Sequence, residues 1–167
     1  MSLMSFKNAD AKRGNTMKTE VRLLTDEDLK EAAIIYTNIF SASPWNEPWS
    51  MNTAYARLYD ISKTPGYIGI GYFHSENNKL IGFIVGNEEQ WANYKTFYVN
   101  EICVLSNTQQ TGIGTSLLSF LNEFLIQKEV KEVYVSTEKG QGKPERFFEK
   151  NGFVTHESRI LMALNVD

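Results

Sequence analysis

The stretch Cys103–Leu121, CVLSNTQQTGIGTSLLSFL, constrains the fold more tightly than any other part of the chain. An apolar run passes through a polar loop into a segment opened by two near-adjacent glycines, Gly112 and Gly114. Its apolar residues Ile113, Leu117, Leu118, Leu121, Phe124 and Leu125 recur with the period of an amphipathic helix. Glycine costs about 1 kcal/mol relative to alanine inside a helix, so a pair at the first turn asks for a reason. Without Cβ atoms, backbone N–H groups at a helix start can face an anion, and the helix dipole favours the negative charge. The loop QQTGIG lacks the Lys-Ser/Thr pair of a P-loop and the third glycine of a dinucleotide fingerprint. A pyrophosphate without a bound metal fits it better than a magnesium nucleotide does.

The surrounding pattern predicts one mixed α/β domain. TEVRLL suggests a strand, and Thr25 followed by three acids starts a helix with Leu29, Ala32, Ala33, Tyr36 and Phe40 on one stripe. SASPWNEPW breaks the pattern with two prolines; Ser50 then caps a second helix through Ile61, ended by Pro65-Gly66. GYIGIGYFHS and KLIGFIVGNEE form a hairpin about Glu76-Asn77-Asn78, with Asn87-Glu88-Glu89 expected as a solvated turn. KTFYVNEICVL is the next strand, EVYVS a later one, PERFFEKNG a helix begun by Pro144 and stopped by Gly152, and RILMALNV a final strand.

The chain of 167 residues has room for a core, carries a net charge of −3 with scattered basic residues, and contains one cysteine. This argues against nucleic acid and membrane as partners and suits a cytoplasmic setting. Met1-Ser2-Leu3 reads as a leader, translation from Met4 or Met17 is compatible with the sequence, and residues 1–18 are expected to lie outside the domain spanning 19–167. No set of residues has metal-ligand spacing.

Gln109-Gln110-Thr111-Gly112-Ile113-Gly114 resembles the Gln/Arg-x-x-Gly-x-Gly/Ala signature of the GNAT superfamily of N-acetyltransferases. RFFEKNGF, Arg146 to Phe153, is similar to the family's second signature, and the element order matches from Glu20 to Asn165. The resemblance implies a central, mostly antiparallel sheet of about seven strands flanked by about four helices, with acetyl-CoA as the acetyl donor. It further implies a gap between splayed fourth and fifth strands, where pantetheine meets main chain at Ile102, Cys103 and Val104. The pyrophosphate would then lie on amides between Gln109 and Thr115, including Ile113. An asparagine that contacts the cofactor in the family corresponds to Gln141. The tyrosine that many members use to protonate the leaving thiolate corresponds to Phe148, which has no proton to give; Ser136 and Thr137 lie near the expected site.

Direct acetyl transfer needs an unprotonated amine. Glu101 is the candidate base: in alternating FYVNEICVL it stands among Val99 and Cys103 as a polar exception, where desolvation raises a carboxyl pKa. The sequence is somewhat similar to the aminoglycoside 6′-N-acetyltransferases, which carry a carboxylate on this strand. The other reading is a solvated or salt-bridged strand glutamate. Trp45, Glu47 and Trp49 in SPWNEPW suit either an aromatic, acidic wall for an ammonium group or simple caps on the core. Cys103 is expected to pack rather than react, and His74 and His156 to be surface residues. The acceptor expected is a small cationic amine, with a protein or peptide amine as the alternative. An acyl-CoA-binding sensor on the same fold, or a nucleotide-binding module, is the non-enzymatic alternative. RILMALNV permits a homodimer.

Overall fold

The computed structural model describes residues 19–140 and 142–166, so the expected leader and Gln141 lie outside the described residues. The chain divides into two compact units, one ending at Ser136 and one beginning at Thr137.

In the first unit, β1 (Thr19–Leu23), β2 (Tyr67–His74), β3 (Lys79–Gln90), β4 (Lys95–Val104) and β5 (Val130–Val135) form one sheet in sequence order. The first three pairings are antiparallel, and β4 with β5 is parallel. A parallel neighbour needs a crossover, and α3 (Ile113–Gln127) supplies it. α1 (Leu29–Phe40) and α2 (Met51–Ser62) lie between β1 and β2 in sequence.

The two faces of the sheet are covered by different helices. Ala32, Ala33, Ile35 and Tyr36 of α1 and Ala54, Leu58 and Ile61 of α2 share a buried cluster with Phe73, Leu80, Phe83, Val85 and Cys103 from the strands. A Cβ at Gly82, beside Phe83, would instead meet Ile113 of α3. Neighbouring strand residues point to opposite faces, so α3 covers the face away from α1 and α2.

Local chemistry explains the helix ends. The Ser50 hydroxyl accepts a 3.2 Å bond from the Thr53 N–H, and Thr53 reciprocates to the Ser50 N–H. The carboxylate of Asp28 accepts from the Thr25 N–H at 2.8 Å and from Arg22 at 2.8 and 3.0 Å, so the turn before α1 is tied to β1. Burial opposes the charge on Asp28, but these bonds outweigh it and hold the carboxyl below its ordinary pKa.

Two segments depart from the sequence-based expectation. Asn87-Glu88-Glu89 is no turn: β3 runs through it and pairs with β4 as far as Gln90 opposite Lys95. Asn87 is buried, Glu88 takes ion pairs from Lys95 at 3.6 Å and Lys128 at 2.7 Å, and Glu89 accepts from the Tyr134 hydroxyl. Polar composition signals a turn only when no neighbouring element supplies partners, and here β4, β5 and the end of α3 supply them. The expected strand RILMALNV forms no ladder, so the described residues hold five strands rather than about seven. Strand propensity measures fitness for a pleated, half-buried surface; Ile160, Leu161, Met162, Leu164 and Val166 are instead 81–90% exposed.

In the second unit α4 (Lys143–Lys150) begins with Pro144 in its first turn and ends in a Schellman motif. The Gly152 N–H donates to Glu149 O and the Phe153 N–H to Phe148 O, both at 3.0 Å, with Gly152 at φ 88°. The rings of Phe148 and Phe153, 5.2 Å apart, provide the apolar contact that accompanies this motif.

Candidate active site

β4 carries a bulge. Val85 pairs with Glu101 and Gly86 with Val99, which leaves Asn100 as the extra residue. On its other edge β4 pairs with β5 only from Lys95 to Val99. From Asn100 to Val104 it therefore keeps β3 on one side and, among the described residues, has no strand on the other. The two parallel strands part at the bulge, one residue before Glu101, which is the splay that the sequence resemblance implies. Ile102, Cys103 and Val104 all lie on this free edge. The carbonyl of Val104 is already taken by the Gln109 side-chain amide at 3.2 Å. The Oδ1 atom of Asn100 is buried without a hydrogen-bond partner.

Beyond the free edge the chain turns into α3. Gly112 is the N-cap residue of α3 at φ 91°, a conformation that L side chains rarely adopt, and no heavy atom lies within 4 Å of where its Cβ would be. Gln110 also has positive φ. The Thr111 hydroxyl donates to Thr108 O at 2.6 Å and the Thr108 hydroxyl to Leu105 O at 3.0 Å, so the loop is braced by its own side chains. No side chain caps α3. Its first amides, from Ile113, Gly114 and Thr115, precede the first intrahelical bond, from the Ser116 N–H to Gly112 O, with the positive end of a 15-residue helix behind them.

Glu101 is 9% exposed and lies on the α1/α2 face. Its Oε1 atom accepts from Arg57 Nε at 2.7 Å and Nη2 at 2.5 Å, and from the Tyr36 hydroxyl at 3.5 Å. Burial raises its pKa above the ordinary carboxylate value, and the Arg57 guanidinium and its hydrogen bonds restrain that rise. The same burial, with the charge of Glu101 nearby, pushes the Tyr36 phenol and the Cys103 thiol up, so both remain neutral near pH 7. A buried, neutral Cys103 is a packing residue.

The α1–α2 connection reaches the same place through aromatic contacts. Tyr36 meets Trp49 edge-on at 4.9 Å, Phe40 lies 4.5 Å from Tyr36, and Trp45 lies 5.5 Å from Phe40. The Trp49 indole donates to Glu47 at 2.5 Å, and the charge of Glu47 in turn raises the pKa of Glu101. Trp49 packs on the core and at the same time orients an acid beside Glu101, so the two expectations for SPWNEPW are not exclusive.

A strand edge laid open beside a buried carboxylate, followed by an uncapped helix start, accords with the family comparison. The model of the acetyltransferase (GNAT) family matches residues 33–153. The chain belongs to this family. No curated protein sequence matches it. Among solved structures, an aminoglycoside acetyltransferase from an uncultured soil metagenomic sample is 19% identical with a TM-score of 0.69, over 89% of this chain and 97% of the other. The aminoglycoside 6′-N-acetyltransferase AAC(6′)-Ih from Acinetobacter baumannii is 11% identical with a TM-score of 0.69, over 89% and 99%. An acetyltransferase from Trypanosoma brucei is 19% identical with a TM-score of 0.66, over 87% and 99%. At such identities these likenesses speak for the shared fold.

Members of the GNAT family use acetyl-CoA, and the residues of this GNAT chain fit it. The free edge at Ile102–Val104 can pair with an extended chain bearing amides, the orphaned Asn100 acceptor can take an N–H, and the open α3 start can take phosphate oxygens. Phe148 is buried in the second unit, where it anchors the Schellman contact. That packing role explains a ring at this position and leaves it no proton to donate. Arg57 and Tyr36 did not emerge from the sequence as site residues. Tyr36 stood only on the apolar stripe of α1, and Arg57 is one of two charges, with Asp60, on α2. No cluster of residues suited to hold a metal ion occurs among the described residues, and no helix there is long and apolar enough to cross a membrane.

Proposed function

We propose that this protein transfers an acetyl group from acetyl-CoA to the primary amine of a small cationic acceptor, by direct attack within a ternary complex. The buried carboxylate of Glu101, set at the bulge where β4 and β5 part, is the observation that carries this reading. Acetyl-CoA supplies an acetyl group activated as a thioester. Glu101 takes a proton from the amine, directly or through water; the nitrogen lone pair forms the C–N bond as the C–S bond breaks, and that electron pair leaves on sulfur. Phe148 contributes no proton, so coenzyme A leaves as the thiolate and is protonated by solvent. Glu47 and the Trp45–Phe40–Tyr36–Trp49 array favour an ammonium group by charge and ring quadrupole. The fold shared with aminoglycoside acetyltransferases, one of them solved with sisomicin, makes aminosugars the first acceptors to try. A cytoplasmic setting suits this reaction, and the exposed Ile160–Val166 segment supports a homodimer, which sedimentation of the full chain would test.

Thiol release measured against a panel of amines that includes sisomicin, alongside thermal shifts with coenzyme A, tests the reading. Glu101→Gln should lower turnover about 100-fold or more at neutral pH while coenzyme A still raises the melting temperature. Turnover equal to wild type removes Glu101 as the base. Tight coenzyme A binding without turnover of any amine makes the protein an acyl-CoA sensor instead.

A further inference from the structure

Glu101 does not stand alone on its strand: one of its oxygens is fully engaged, while the described residues place no hydrogen-bond donor on the other. Both Arg57 donors and the Tyr36 hydroxyl converge on Oε1. We infer that Arg57 is a positioning residue that commits Glu101 to work through one atom, with Oε1 held by the guanidinium and Oε2 exchanging the proton with the acceptor amine. The inference rests on the reading of Glu101 as the base.

The groups around Glu101 show why the arginine matters. From α1 comes Tyr36, from β4 itself Cys103, and from the α1–α2 connection Glu47. The first two are neutral and the third is an anion. Among the described residues, Arg57 of α2 is therefore the cation that acts on this carboxylate. Without it, a buried carboxylate beside another acid takes up a proton, and a protonated carboxyl cannot accept one from an amine. Arginine suits the task because its planar fork lets Nε and Nη2 bind one oxygen together, which a lysine point charge cannot do. The Arg57 side chain is 43% exposed, whereas that of Glu101 is 9% exposed. When the amine donates, its N–H bond breaks, the lone pair stays on nitrogen and the proton joins Oε2, so Arg57 remains paired with Oε1 throughout.

Protein labelled with 13C at the glutamate side-chain carboxyls allows the Glu101 signal, assigned by its loss in Glu101→Gln, to be titrated directly. Arg57→Gln should move its midpoint upward by about one pH unit or more, a tenfold tighter hold on the proton. Arg57→Lys should recover part of that change. The acid limb of kcat/KM for sisomicin should move with the titration, while the KM for acetyl-CoA stays put. A folded Arg57→Gln protein whose Glu101 midpoint stays within about 0.3 pH unit of wild type overturns the inference. The base reading fails separately, through unimpaired turnover of Glu101→Gln, since the carboxyl titration needs no activity at all.

Discussion

The start of α3 and the pocket of Glu101 solve two different problems within one unit of the chain. At the start of α3 the groups on offer are backbone amides, and no side chain caps them. At Glu101 the groups brought together are side-chain atoms from α1, α2 and β4, held there by the backbone. The first kind of site requires a backbone that can adopt φ 91° at Gly112. The second depends on single atoms, because a buried charge is expensive unless its partner is in place. Substitutions should therefore act on binding at the first site and on protonation at the second.

The sharpest way to break the comparison is at Gly112. Gly112→Val places a β-branched side chain at positive φ in front of the α3 amides and should weaken coenzyme A binding about tenfold or more. Asparagine tolerates positive φ better than other residues, so Gly112→Asn separates strain from obstruction. A lost thermal shift in both variants assigns the effect to obstruction. A shift recovered in Gly112→Asn assigns it to strain, and a full shift in Gly112→Val removes the amides from the ligand.

A smaller effect is expected at Glu47. Glu47→Ala should raise the KM of a cationic amine about twofold to fivefold, as expected for an exposed charge contact, and leave the KM of acetyl-CoA unchanged. Equal changes in both would make the Glu47–Trp49 bond a structural brace alone.

The last effect concerns stability rather than either site. Asp28 has a lowered pKa in the folded state, so its contribution is present above the pKa of the unfolded chain and is lost as pH falls through the folded value. Asp28→Asn should cost about 1–2 kcal/mol at pH 7. Its denaturation midpoint should converge with that of wild type below about pH 4, with kinetics at Glu101 unaltered. A cost that persists unchanged in acid would show that the charge is not what holds the Arg22–Asp28 bond.

Most elements were legible because their signals are local. Ser50 caps α2 with its own hydroxyl, Gly152 stops α4 in a Schellman motif, and the stripe of α3 buries Leu117, Leu121 and Leu125. Glu101 was legible as a polar break in an apolar alternation. The polar run Asn87–Glu89 misled because its partners come from elsewhere: Lys95 and Tyr134 on neighbouring strands and Lys128 after α3. RILMALNV misled for the converse reason, since an apolar segment becomes a strand only when another strand accepts its backbone hydrogen bonds.

The sequence by itself determined what depends on a few adjacent residues: the glycine-opened helix, the caps, the hairpin, and the presence of one carboxylate in an apolar strand. Only the tertiary structure decided what that carboxylate can do. Arg57 and Tyr36 lie 44 and 65 residues from Glu101, and no local pattern links them. A protonation state is set by distance, burial and the charges that surround a group, and those come into being when α1, α2 and β4 close over one another.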